Sequence, residues 1–320
     1  MNSKIKAASV LVAVVIVAGL GWAFLPRNSI QHTLPKVSSR ETSSTHGKYF
    51  EIQGHRGARA VRAENSLSAF RYALEIGVDT LEMDLHATKD NVLVVTHDPF
   101  LNASVCVNAK GQSISSNIKI RNLTLAQLKT YDCGVKINPR FPKQVVQAKE
   151  KIPALQEVLI WLRESTDPRS KTVLLNIETK TDPGHPDYNL DPSIFALLLS
   201  ETIDQYGLQN RVTVQSFDFR TLFEIRKLMP QVNISALVED RPKVGSLLAT
   251  AQKLNANIVS PNYEWLTQSD VAELQGAGIR VIPWTVNDAP SWKKMVALGV
   301  DGIISDDPKP LIDFRAELAK

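Results

Sequence analysis

Cysteine is scarce in this chain: Cys106 and Cys133 are the only two in 320 residues. Neither has histidines at matching spacing, which excludes a structural zinc site. An even pair enclosing a loop of roughly 28 residues reads as a disulfide in an exported protein, worth about 3 kcal/mol in the chain-entropy model, or else as two free buried thiols. We expect the disulfide. A charge excess of either sign is also missing. The net charge is +4, and the basic pI of 8.9 owes much to Lys4, Lys6 and Arg27 in an N-terminal stretch without acidic residues. Setting those three aside leaves about +1, which excludes a nucleic-acid footprint. The chain is neither highly charged nor poor in apolar residues, so it is not disordered.

One apolar run is long. Residues 7–25 (AASVLVAVVIVAGLGWAFL) follow Lys4 and Lys6 and are closed by Pro26-Arg27. That length spans a bilayer as a helix, and no A-x-A-like cleavage site follows. The expectation is a retained membrane anchor; a cleaved signal or a buried helix are the alternatives. Positive charges before the helix place the body away from the cytoplasm, in the periplasm or at the cell surface. No cysteine lies near the run, so a lipoprotein anchor is not expected. Residues 28–48 are rich in Ser and Thr and lack apolar periodicity, as in a linker, with His32 and His46 as solvated spacers. The folded body is 49–320.

Within the body, strand-like runs at 50–53, 80–85, 173–177, 212–215, 234–238, 257–260, 280–284 and 302–304 alternate with helix candidates at 66–76, 155–164, 192–206, 219–228, 243–254, 267–277 and 291–298. Such alternation predicts parallel strands with helical crossovers. A further run, 92–96, follows the second strand too closely for a crossover and must return as an antiparallel hairpin through Lys89-Asp90-Asn91. Eight strands remain, enough to close an α/β (β/α)8 TIM barrel with an inserted hairpin; a doubly wound open sheet is the alternative. Residues 99–153 carry one helix signal, 123–128, among scattered Gly, Asn, Ser and Pro. A stretch this long is usually functional, and it reads as a cap over the barrel face bearing His97.

In such barrels the active site lies at the C-terminal strand ends. His55 and Arg56 follow the first strand, Glu82 and Asp84 share one face of the second, and Glu178 with Lys180 ends the third. Three carboxylates so placed would repel one another unless a hard divalent cation, Ca²⁺ or Mg²⁺, lay between them. Arg56 and Lys180 beside it suit a phosphate, and His55 with His97 can act as an acid–base pair. These features together point to metal-assisted phosphodiester cleavage.

The runs GHRGA, AENSLSAF, LEMDLHATKDNVLVVTHDP, LLNIETK, VQSFD, VIPWTVND and GVDGIISDDP resemble the glycerophosphodiester phosphodiesterases over residues 50–308. RNLTLAQLKTYDCG, RFPKQV and IPALQEVL resemble the longer insertion of exported members. The resemblance implies that His55 and His97 are the acid–base pair, with His55 the base of the first step. It implies that Arg56 and Lys180 hold the phosphate, and that Glu82, Asp84 and Glu178 hold one cation. Glu64 supports the site within Glu64-Asn65-Ser66, a mild departure from the family's ENT motif. Trp284 faces the alcohol portion, while Gln215 and Phe217 shape the pocket or serve a structural role. His86 lines the mouth or packs against the hairpin, and His185 is a solvated loop residue. The implied reaction releases glycerol 3-phosphate and an alcohol from small glycerophosphodiesters by way of a cyclic phosphate. A lysophospholipase D or sphingomyelinase D-like activity and a non-catalytic binding barrel are the competing readings. Oligomeric state is not legible.

Overall fold

The computed structural model describes residues 49–242 and 246–320. The expected anchor and linker, His32, His46 and the start of the 243–254 helix candidate lie outside the described residues. Among those described, no helix is long and apolar enough to cross a membrane.

Chain order runs β1 (Glu51–Gly54), α1 (Leu67–Ile76), β2 (Thr80–Ala87), β3 (Leu93–Val95), α2 (Leu125–Leu128), α3 (Leu155–Glu164), β4 (Leu174–Thr179), α4 (Pro192–Gln205), β5 (Val212–Ser216), α5 (Phe219–Leu228), β6 (Asn233–Val238), α6 (Leu247–Leu254), β7 (Ile258–Pro261), α7 (Gln268–Gly276), β8 (Arg280–Val281), α8 (Ala289–Leu298), β9 (Gly302–Ser305) and α9 (Pro308–Leu318). The parallel strands are ordered β8-β7-β6-β5-β4-β2-β1-β9. The two ends meet through backbone bonds from Asp301 N to Val281 O (2.8 Å) and from Ile304 N to Pro283 O (3.1 Å). The ring is the barrel that the strand count anticipates, not an open sheet.

Two boundaries differ instructively from the sequence expectation. β8 stops at Val281 because Pro283 accepts from Ile304 but has no N–H to continue the ladder. Helix α9 was not anticipated. Its apolar periodicity is weak, and it is held instead by buried Leu311 and by Arg315 Nη1 donating to Phe50 O at 2.8 Å.

The hairpin forms as expected, with Leu85 opposite Val95 and His86 opposite Val94. It turns through Asn91, whose φ of 61° suits asparagine. Period-two alternation then sorts the barrel strands. Ile52, Leu81, Met83, Leu175, Ile177 and Val214 join the apolar core with the helices. The alternate positions turn inward, where Asn176 Nδ2 reaches across β2 to Gln53 Oε1 (2.7 Å) and to Gln215 Oε1 on β5 (2.9 Å). Much of the barrel interior is therefore a hydrogen-bonded polar layer, in place of the branched aliphatic layers usual in this architecture.

Residues 99–153 form a cap whose small core packs Leu101, Cys106, Ile120 and Leu128 against Val94 of β3. Cys106 and Cys133 are bridged, as expected. Helix α2 starts on a reciprocal Thr124–Gln127 capping box.

Candidate active site

The β1–α1 turn opens the site. A Cβ on Gly54 would lie 2.1 Å from Gly57 O, and one on Gly57, at φ 83°, would lie 2.7 Å from the Ala69 backbone. Only glycine permits both approaches, and between them Arg56 takes a left-handed conformation, φ 50°. Such a conformation costs on the order of 1–3 kcal/mol and is over-determined here. Arg56 N donates to Glu82 Oε2 at 2.7 Å, and Arg56 O accepts from Asn65 N at 3.0 Å. The Arg56 guanidinium reaches Glu64 Oε1 at 2.9 Å, while its Nε stands 3.2 Å from Asp84 Oδ2 without hydrogen-bond alignment.

Glu82, Asp84 and Glu178 converge as expected. One oxygen from each lies within 4.8 Å of the others, and all three side chains are buried. Burial, with Asp84 and Glu178 adding repulsion, pushes the Glu82 carboxyl well above its ordinary range. Burial likewise raises Glu178 against the pull of Lys180. Burial acts on Asp84 too, yet Lys180 and Arg56 outweigh it and hold that carboxyl well below its usual range. Asp84 Oδ1 has no hydrogen-bond donor despite complete burial, although Lys180 Nζ stands 3.4 Å away. Three oxygen donors, one of them orphaned, fit a hard divalent cation. Lys180 Nζ itself donates to Glu178 Oε1 at 2.7 Å.

The two predicted histidines differ in support. His55 Nδ1 is 2.6 Å from Asp306 Oδ1, so its proton sits there and Nε2 is left as acceptor. Burial, with Arg56 and Arg59 adding positive charge, lowers His55 to about 4 against the pull of Asp306. His97 follows β3, partly exposed, with Nδ1 2.7 Å from Asp98 Oδ1. His86 is not at the mouth. It is buried, its Nε2 donates to His97 O (3.0 Å), and its Nδ1 accepts from Asn189 Nδ2 (3.1 Å), so it holds the backbone that carries His97.

His86 is likewise lowered to about 4, first by burial. A neutral buried imidazole resists protonation that the unfolded chain accepts. Its stabilising effect is therefore complete above about pH 6.5 and is lost as pH falls towards 4, on the order of 3 kcal/mol at full effect. Denaturant midpoints should fall across that window. His86→Asn should flatten the slope, and an unchanged slope would refute this account.

Gln215 lines the cavity and donates to Glu82 Oε1 at 3.0 Å. Phe217 and Trp284 meet edge to face, 5.4 Å between ring centres, and Trp284 Nε1 is tied to Ser260 O at 2.9 Å. His55, His97, Arg56, Lys180, Phe217 and Trp284 line one cavity of about 400 Å³, whose far wall is cap residues Asn138–Phe141. His185 lies in an exposed loop, stacked on Tyr188, as expected.

Two residues escaped the sequence reading. Asp306 orients His55 and is held by Arg59 (2.6 Å) and by Asn287 Nδ2 (2.8 Å). Asn65 Nδ2 donates to Asp84 Oδ2 at 2.8 Å, fixing a ligand carboxylate from the turn. The SDDP run contains Asp306, but nothing local pairs it with a histidine 251 positions away.

The glycerophosphoryl diester phosphodiesterase family model matches residues 55–310. A glycerophosphodiester phosphodiesterase of Caldanaerobacter subterraneus is 31% identical over 263 residues, 82% of this chain and 96% of the relative. One from Bacillus altitudinis is 30% identical over 84% of this chain and 99% of its own length. A crystal structure from Silicibacter pomeroyi, assigned to the same enzymes, superposes with a TM-score of 0.77 at 28% identity, covering 84% of this chain and 96% of that one. The family match spans every predicted site residue from His55 to Trp284, and the chain belongs to the glycerophosphoryl diester phosphodiesterase family.

Proposed function

We propose that the protein hydrolyses glycerophosphodiesters to glycerol 3-phosphate and an alcohol by acid–base chemistry between His55 and His97. The observation that carries this reading is one cavity lined by Glu82, Glu178, Arg56, Lys180, His55 and His97, with Asp84 completing the buried carboxylate cluster. Glu82, Asp84 and Glu178 would hold a divalent cation, Ca²⁺ or Mg²⁺, which when bound neutralises phosphate charge and polarises phosphorus.

The chain's own groups supply the rest. Arg56 and Lys180 bind phosphate oxygens. His55 Nε2 takes the proton of the glycerol hydroxyl next to the phosphate, and that oxygen attacks phosphorus. His97 protonates the departing alcohol, aligned by Asp98 and by the His86 bond to its carbonyl. Water opens the cyclic phosphate with the two roles exchanged. Trp284 and Phe217 give an apolar wall to the glycerol carbons. An extracytoplasmic location is part of the same proposal, supported by the bridged cysteines, since disulfides persist in oxidising compartments.

The test is a panel of glycerophosphocholine, glycerophosphoethanolamine, glycerophosphoglycerol and lysophosphatidylcholine, with release of glycerol 3-phosphate and of lysophosphatidate measured separately. The expected result is glycerol 3-phosphate from the soluble diesters, abolished by chelation and restored by a divalent cation. Activity on lysophosphatidylcholine alone would move the assignment to a lipid phosphodiesterase. Activity indifferent to chelation would remove the cation, and no release from any substrate would leave a binding barrel.

A further inference from the structure

The cap differs from the barrel beneath it in charge. Residues 99–153 hold nine Lys and Arg against Asp132 and Glu150, whereas 49–98 and 154–320 together hold 22 basic and 30 acidic residues. Exposed aliphatic surface gathers in the same place. Of eleven large hydrophobic residues exposed among the described ones, four fall within 135–146: Val135 (39%), Ile137 (45%), Val145 (56%) and Val146 (49%). Arg140, Lys143 and Lys149 are exposed on the same stretch, while its one carboxylate, Glu150, is buried.

This stretch is a built loop. Gln147 N donates to Gly134 O (2.9 Å) and Cys133 N to Glu150 O (2.9 Å), closing its base next to the Cys106–Cys133 bridge. Gln144 Nε2 donates to Arg59 O (2.6 Å) and Arg62 O (2.9 Å), and Val145 N donates to Val61 O (2.9 Å). Those bonds fasten the loop to the turn that carries His55 and Arg56. With its backbone so held, the loop keeps its valines and isoleucine in water, and residues Asn138–Phe141 of the same loop wall the catalytic cavity.

We propose that the 135–149 loop docks the catalytic body on an anionic lipid surface, with its aliphatic side chains entering the headgroup region and Arg140, Lys143 and Lys149 pairing with lipid phosphates. Aliphatic side chains interleaved with cations suit a bilayer interface. Nucleic-acid surfaces instead offer exposed rings for base stacking. Here the loop's one aromatic, Phe141, is half-buried with the Arg59 guanidinium over its ring at 4.8 Å. Docking in this orientation would set the cavity mouth at the membrane surface.

The test uses the full chain with Val146→Cys carrying an environment-sensitive fluorophore; the native cysteines are bridged and do not label. A second variant, Leu228→Cys on exposed Leu228 of α5, is the reference position. Phosphatidylcholine vesicles containing phosphatidylglycerol should blue-shift the probe at 146 and leave that at 228 unchanged. Vesicles of phosphatidylcholine alone, or high salt, should abolish the shift. Lys143→Ser with Lys149→Ser should lower the equilibrium for seating the probe at 146 in the interface about 25-fold, about fivefold for each cation near an anionic surface. Turnover of soluble glycerophosphocholine should not change. No shift at 146, equal shifts at both positions, or binding of RNA with no response to vesicles would each overturn the proposal.

Discussion

Alanine at His55 should lower turnover by about 10² to 10⁴, the range that acid–base groups contribute, and leave the barrel folded. His55 stands on a rim, packed by polar groups, so its loss opens no cavity in the apolar core. Its Nδ1 is committed to Asp306, and its low proton affinity keeps Nε2 available at neutral pH. His97→Ala should cost a similar factor through the leaving alcohol. Asp306→Asn separates orientation from chemistry, because it keeps the imidazole but removes the carboxylate that fixes its tautomer. In that variant kcat should fall while KM holds. Steady-state kinetics beside thermal melts decide the matter: near-normal turnover in either histidine variant would show that the acid–base pair is misassigned.

Divalent cation should raise the melting temperature by about 5–10 °C at a hundredfold excess over Kd, following from about 2.7 kcal/mol of linkage in a domain of this size. The source is the buried carboxylate cluster, where burial and mutual repulsion lift Glu82 and Asp84 Oδ1 lacks a donor. Glu178→Gln keeps an acceptor for Lys180 and removes one charge. It should cancel most of the cation-dependent shift and reduce turnover by on the order of 10³, since charge neutralisation at phosphorus is worth several kcal/mol. A cation shift of undiminished size in Glu178→Gln would remove Glu178 from the ligand set. The thermal readout does not depend on the substrate chosen.

Much of the site was legible because its signals are local. Glu82 and Asp84 two apart on a strand must share a face, and a gap of a few residues before 92–96 permits only a hairpin, which delivers His97 to the rim. Strand and helix periodicity identified the barrel for the same reason. α9 was missed because its burial depends on Arg315 meeting Phe50 O across the closing seam rather than on an apolar stripe. His86 looked like a candidate for the mouth because it continues the ligand face; its burial and its bond to His97 O show that this face dips beneath the hairpin there.

The sequence alone therefore determined the fold class and pointed to two candidate histidines and three candidate ligands, all carried by residues whose spacing dictates their direction. Tertiary structure decided what holds them. Barrel closure sets the last strand beside the first, so Asp306 reaches His55. The shared interior lets Asn176 bond to Gln53, and Gln215 to Glu82, across strands that are not neighbours in sequence. Gln144 fastens the cap across more than eighty residues to the turn at Arg59 and Arg62. Contacts at such separations arise from the closure of a ring, and no periodicity within a single segment encodes them.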